Sequence, residues 1–288
     1  MNKRVRIITD TGADLPKELI QEKGIVMLGM GVELDGKVYN GLELDTNKFY
    51  KDMRAGAVAR TSQVLYKDMQ DTVNKVIEQN EIPYYIVFSS RLSGTFQTAN
   101  LLLQELNNPE VFLIDSKAAS TGHGLLVLEA AEMAEKGASA EEITARLEFL
   151  ISRLEHIFAV DDLVYLKRGG RISSMKAIIG GMLKIKPILH FVDGAIHQFD
   201  KARSTKQVIN RMLEIMDERG VDIPSQRIGI SHADNPETAD ELKEAIQTKY
   251  GVTNFIEAEI SPVIGAHSGP GTIALFFLSN KQGGEEEK

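Results

Sequence analysis

The sequence predicts an α/β protein of two lobes: an N-terminal α/β/α layered domain with a mainly parallel sheet, and a C-terminal α+β domain whose sheet is mixed or antiparallel. Three observations carry this. Strand-like apolar runs alternate with helix-like stretches through the first half, and strands joined by crossover helices imply parallel neighbours covered on both faces. The rhythm then changes, with a strong hairpin signal at Asp193-Gly194. After it comes a β-α-β-α-β order, which places domains at residues 1–155 and 156–288.

The elements follow in order. Val5 to Thr9 reads as a strand that ends in the loop Asp10-Thr11-Gly12-Ala13. Asp14 is a good N-cap for a short helix with Pro16 in its first turn and Gly24 as its stop. Ile25 to Leu34 is extended, and Asp35-Gly36 turns it into Lys37-Val38-Tyr39. Helices are expected over Thr46 to Ala55 and Leu65 to Gln79, with Thr61-Ser62-Gln63 in the loop before the second. The clearest strand is Tyr84 to Ser89, followed by a helix from Thr95 to Leu106 and a strand from Val111 to Ile114. Two helical stretches flank Gly137.

In the second half, Ile185 to Val192 and Ala195 to Phe199 form the hairpin. Helix Ser204 to Arg219, strand Arg227 to Ser231, helix Pro236 to Tyr250 and strand Asn254 to Ile260 come next. A glycine-rich loop, Gly265 to Gly271, precedes the last strand, Thr272 to Leu278, and the tail from Gly283 to Lys288 reads as disordered.

Composition excludes several functions. The chain of 288 residues contains no cysteine, so disulfides, thiolate metal sites and cysteine nucleophiles are ruled out. The formal charge of −8, without a basic cluster, argues against nucleic-acid binding and against adhesion to anionic membranes. No apolar run approaches the roughly 20 residues of a membrane-spanning helix. The basic start, Met1 to Arg6, leads into a strand rather than a secretory apolar core, so the expected location is cytoplasmic. The six histidines include no helical metal-binding pair, and no metal is expected.

Polar chemistry gathers in four segments: Thr9 to Gly12, Thr61 to Gln63, Ser89 to Thr95 and Asp115 to Lys117. Hydroxyls and free N–H groups at helix starts suit an anion, and α/β sheets bind ligands beyond their strand ends. Any one segment is equally an ordinary cap or turn; the four together point to a site. Ser93 lacks the glycine spacing of a hydrolase elbow, since Arg91 stands two residues before it. Gly180-Gly181-Met182-Leu183-Lys184 fails as a phosphate loop. His267 lies among small residues that leave room beside its ring, although a packing histidine explains it as well. Lys167 to Ser173 offers three cations beside a flexible backbone, or a solvated helix end. Arg203 precedes a helix, where the dipole does not favour a cation.

These stretches, in this order, resemble the DegV family, which includes the fatty-acid-binding subunits of bacterial fatty acid kinases. The match includes Thr9-Asp10-Thr11, Thr61-Ser62-Gln63, Leu92-Ser93-Gly94-Thr95, Gly169-Gly170-Arg171-Ile172, and Gly265-Ala266-His267 with Gly269-Pro270-Gly271. Two small departures are Val64, where proline is common, and Ser261, where glycine is common. The resemblance implies a long-chain fatty acid held in an apolar tunnel, its carboxyl group meeting Thr61, Ser93 and His267. Arg171, Arg203, Ser62, Gly94 and Thr95 would be secondary head-group or partner-facing residues. The implied partner is a separate ATP-binding kinase subunit that phosphorylates the carboxylate, with no catalytic residue or cofactor on this chain. The acyl phosphate then leaves with this protein, and transient membrane contact is compatible with that role. The alternative is a stand-alone acyl or phosphoryl transfer enzyme using Ser93 and His267.

Overall fold

β-branched and aromatic residues concentrate where the strands form, and the alternation of their side chains decides which layer each one joins. The computed structural model describes residues 3–172 and 185–280. Ser173, the stretch Gly180 to Lys184 and the tail from Gly283, read above as disordered, therefore lie outside the described residues. The first half runs β1 (Val5–Asp10), α1 (Lys17–Glu22), β2 (Val26–Leu28), β3 (Met30–Leu34), β4 (Lys37–Asn40), α2 (Thr46–Arg54), β5 (Ala59–Val64), α3 (Tyr66–Glu78), β6 (Ile82–Val87), α4 (Thr95–Leu106), β7 (Phe112–Asp115), α5 (Ser120–Glu135) and α6 (Ala140–Ile151). The second runs β8 (Leu154–Ala159), α7 (Val164–Arg168), β9 (Lys186–Val192), β10 (Ala195–Ala202), α8 (Thr205–Arg219), β11 (Ile228–His232), α9 (Pro236–Tyr250), β12 (Phe255–Glu259), α10 (Pro262–Ser268) and β13 (Ile273–Leu278), with a short 3₁₀ turn at Ile223–Ser225.

β2-β1-β6-β7 form a parallel sheet. Its residues alternate between two cores, as period-two strands buried on both faces must. Val5, Ile7, Tyr84 and Ile86 pack with α5 and α6, while Ile8, Tyr85 and Val87 face the core that also contains Phe49, Tyr50 and Met69. The six-stranded sheet has the order β10-β9-β8-β13-β11-β12 and is antiparallel except for the β11–β12 pair. Helix α5 lies between the two sheets, packing on β1 on one side and on β11, β12 and β13 on the other.

Three local readings are corrected. Thr61-Ser62-Gln63 belongs to β5, in a small antiparallel sheet of order β4-β3-β5, where Thr61 pairs with Val32 and Ser62 with Gly31. Strand pairing claims hydroxyl residues that also suit a helix start, and threonine is a good strand former. His267 lies on a short helix, α10, rather than in a glycine-rich loop. Finally, Asp14 caps no helix: α1 starts at Lys17, with Pro16 at the cap position and no side-chain cap.

Asp14 instead adopts a positive φ of 30° and turns its carboxylate inward. Its Oδ2 accepts from the Ser120 hydroxyl at 2.6 Å and its Oδ1 from the Ser261 backbone N–H at 2.9 Å. Ser120 opens α5 and Ser261 precedes α10, so one buried carboxylate fixes the start of both helices. Burial pushes the Asp14 carboxyl up to about 6, against the pull of those hydrogen bonds.

Replacing Asp14 by Ala leaves the Ser261 N–H unpartnered in the interior, and we expect a loss of about 2–4 kcal/mol in chemical denaturation. The pH dependence carries a second signature. A carboxyl with a raised folded pKa contributes its stability in full below the unfolded value and loses it as pH rises through about 6. Asp14→Asn should therefore flatten the stability decline between roughly pH 4 and pH 7 by on the order of 3 kcal/mol relative to wild type.

Candidate binding cavity

A cavity of about 240 Å³ lies where β5, the loop before α4, α7 and α10 meet β8, β9 and β13. Its body is apolar, built from residues such as Phe88, Leu92, Phe158, Leu166, Val263 and Phe276. Its polar wall brings together Thr61, Ser62, Gln63, Ser93, Gly94, Arg171 and His267, from four separate segments.

The hydroxyls there are oriented. Val64 N–H donates to Thr95 Oγ1 at 3.4 Å, and Thr95 in turn approaches Ser93 Oγ at 2.9 Å. Ser93 Oγ also accepts from the Thr95 backbone N–H at 3.2 Å. Thr95 thus holds the Ser93 hydroxyl through both its side chain and its backbone N–H. Thr95 is fully buried and does not line the cavity; its part is to aim Ser93. Across the cavity, Thr61 Oγ1 and His267 Nε2 share a hydrogen bond of 2.7 Å.

His267 Nδ1 and the Ser268 hydroxyl are buried without a hydrogen-bond partner among the described residues. Burial, with the nearby Arg171 charge adding to it, lowers the His267 imidazole to about 4, so the ring is neutral at pH 7. Arg171 is half-buried and donates from Nε to the Leu92 carbonyl at 3.0 Å and from a terminal nitrogen to the Gly169 carbonyl. Burial lowers its pKa, but a guanidinium stays charged. Among the described lining residues it is the one formal charge, and no carboxylate is present. Among the described residues no group of His, Asp and Glu could hold a metal ion.

Arg203 stands apart. It lies exposed between β10 and α8, its backbone N–H bonded to Gln207 Oε1 at 2.8 Å, and it does not line the cavity. The polar segments also divide. Thr9 to Gly12 serves the framework, with Asp10 accepting from Gly12 and Phe88 N–H groups, while Asp115 to Lys117 borders a different cleft. The small residues around His267 do not leave room for a ligand as such: Gly265 and Gly269 lie against the Tyr50 and Tyr165 rings. The close approach to the imidazole comes instead from Gly169, where a Cβ would sit 2.0 Å from Nδ1. Sequence reasoning placed Gln63 in a polar segment and Gly169 in a matching stretch without giving either a role, and it missed the distal His156.

Fold and site together define a two-lobed α/β protein with an apolar interior cavity bounded on one wall by hydroxyls, an imidazole and a guanidinium. The chain belongs to the DegV family: the profile of that family, described as one of uncharacterised proteins, matches residues 4–280. It is 38% identical over 286 residues to a DegV domain-containing protein of Clostridium perfringens, covering 96% of this chain and 98% of the relative. Two solved structures are also similar to it. A DegV family protein from Thermus thermophilus, described as binding fatty acid, superimposes with a TM-score of 0.87 at 30% identity, over 96% of this chain and 99% of that one. DegV from Bacillus subtilis, described as a fatty acid binding protein, does so with 0.84 at 30% identity, over 97% and 100%.

Gly169 has φ −73°, which alanine adopts freely, so Gly169→Ala carries no backbone penalty. The methyl group must displace the imidazole instead. We expect the His267 resonance in NMR titration to move from about 4 toward the ordinary histidine value as the ring leaves its buried position.

Proposed function

We propose that this chain encloses one long-chain fatty acid, presents its carboxyl group to a separate ATP-dependent kinase, and then carries the acyl phosphate in the cytoplasm. The observation that carries this reading is the pairing of an apolar cavity with a wall of donors and one cation, free of any carboxylate among the described residues. Such a site favours an anionic head group on an apolar body. The fatty acids named for the Thermus thermophilus and Bacillus subtilis proteins support it.

The physics is coherent. About fifteen methylenes at ~0.8 kcal/mol each give roughly 12 kcal/mol of gross transfer energy, from which association and ordering costs are subtracted. Hydroxyl donors serve a carboxylate and an acyl phosphate alike. Transfer of phosphate itself is assigned to the partner, because this sequence has no phosphate-binding loop. A stand-alone Ser93–His267 transferase finds little support: Ser93 bonds to Thr95 and His267 to Thr61, and the electrostatic neighbour of the imidazole is Arg171 rather than a carboxylate.

Native mass spectrometry of the purified protein tests the reading. A retained mass matching a long-chain fatty acid is expected, and failure to take up any such acid, even after incubation, overturns it. Ser93→Ala should weaken binding of the acid by about one to two powers of ten, since a hydrogen bond to a charged group contributes roughly 1.5–3 kcal/mol. A fatty alcohol of matched length should lose most of that difference. Arg203→Ala, outside the lining, should leave acid binding unchanged and lower turnover in an assay coupled to the kinase. Equal loss in both measurements would place Arg203 in folding rather than docking.

A further inference from the structure

Two residues of the cavity, His156 and Phe191, also line a second, more polar cleft of about 730 Å³. That cleft is bounded by the loop after β7, the end of α6 and the β9–β10 hairpin. The His156 and Phe191 rings stack with centroids 4.5 Å apart and planes 7° from parallel. A single stacked pair of side chains thus stands between the two spaces.

The two rings are held unequally. His156 is buried, its Nδ1 lies 3.3 Å from the Leu154 carbonyl, and the Ala119 N–H donates to its Nε2 at 3.4 Å. These partners specify one neutral tautomer, with the proton on Nδ1. Phe276 meets the ring edge-on at 5.3 Å. Gly122 of α5 closes the remaining side, since a Cβ there would lie 2.7 Å from Nε2. Moving His156 would break one buried and one part-buried hydrogen bond and disturb the packing of α5. Phe191 has no polar tie from its side chain. It is only partly buried and is held by ring contacts to His156 and, at 6.1 Å, to Phe158. Swinging it toward the cleft costs those contacts, and the cleft has the volume to receive it.

We propose that Phe191 is the end wall that sets which acyl lengths the cavity accepts, with His156 as its fixed backing. When the Phe191 ring swings out, the last methylenes of longer chains pass into the cleft, where Ile114, Ile151 and Leu154 offer apolar surface. This rests on the fatty-acid reading above and names the specificity residue of that same site.

The test offers delipidated wild type, Phe191→Ala, Phe191→Leu and Phe191→Trp an equimolar mixture of straight-chain saturated acids from dodecanoic to tetracosanoic. Native mass spectrometry reads the bound distribution, and circular dichroism checks the fold of each variant. Each additional methylene that finds apolar surroundings adds roughly four-fold in affinity. Opening the wall should therefore move the Phe191→Ala maximum about two methylenes longer, raising longer acids against hexadecanoic acid roughly ten-fold or more. Phe191→Leu should shift less in the same direction, and Phe191→Trp toward shorter acids. These two carry the test if the alanine variant does not fold. Profiles that superimpose on wild type, or that change equally at every length, overturn the end-wall assignment and leave the fatty-acid reading standing. Wild type that retains no acid at any length overturns both.

Discussion

The Asp14 carboxylate holds together parts of the molecule that are far apart in sequence. It accepts from Ser120 at the start of α5 and from the Ser261 N–H at the start of α10. The same junction is tightened by Ser261 Oγ donating to the Thr11 carbonyl and by Tyr50 donating to the Ile260 carbonyl. Helix α10 carries His267, so the placement of the imidazole over the cavity depends on a loop that follows the first strand. The Ser261 hydroxyl adds to this junction a bond that glycine could not make.

Around this link the interior is kept close to neutral. Burial lowers His123 to about 4 and His156 to about 3, and raises Asp10 to about 7. In surroundings that penalise charge this strongly, a charged group persists only where hydrogen bonds hold it, as they hold the Asp14 carboxylate. Arg171, half-buried, is held in this way by the Leu92 and Gly169 carbonyls. Among the described lining residues, one cation stands beside neutral donors on the polar wall, and the remainder of the lining is mostly apolar.

Much of the architecture was legible from local pattern. Asp35-Gly36 and Asp193-Gly194 turn their hairpins because two-residue loops need the positive φ that both pairs adopt. The crossover helices announce the parallel sheet, and the single parallel pair within the second sheet follows from α9 connecting β11 to β12. The misreadings share one cause. Asp14, Thr61 and His267 each have a side chain or backbone that suits two local structures, and long-range partners chose between them. Asp14 lost its helix cap to Ser120 and Ser261, and Thr61 left its loop for pairing with Val32.

The sequence by itself determined the two-lobed α/β order, the absence of cysteine chemistry and the set of polar segments from which a site could be assembled. Tertiary structure decided which of those segments meet. Thr61 to Gln63 and Ser93-Gly94 converge with Arg171 and His267, whereas Thr9 to Gly12 is spent on the framework and Arg203 lies outside. The physical reason is that strand and helix periodicity fix only which face a residue occupies. Whether two faces come together depends on how α5 and α10 are pinned by contacts more than a hundred residues apart.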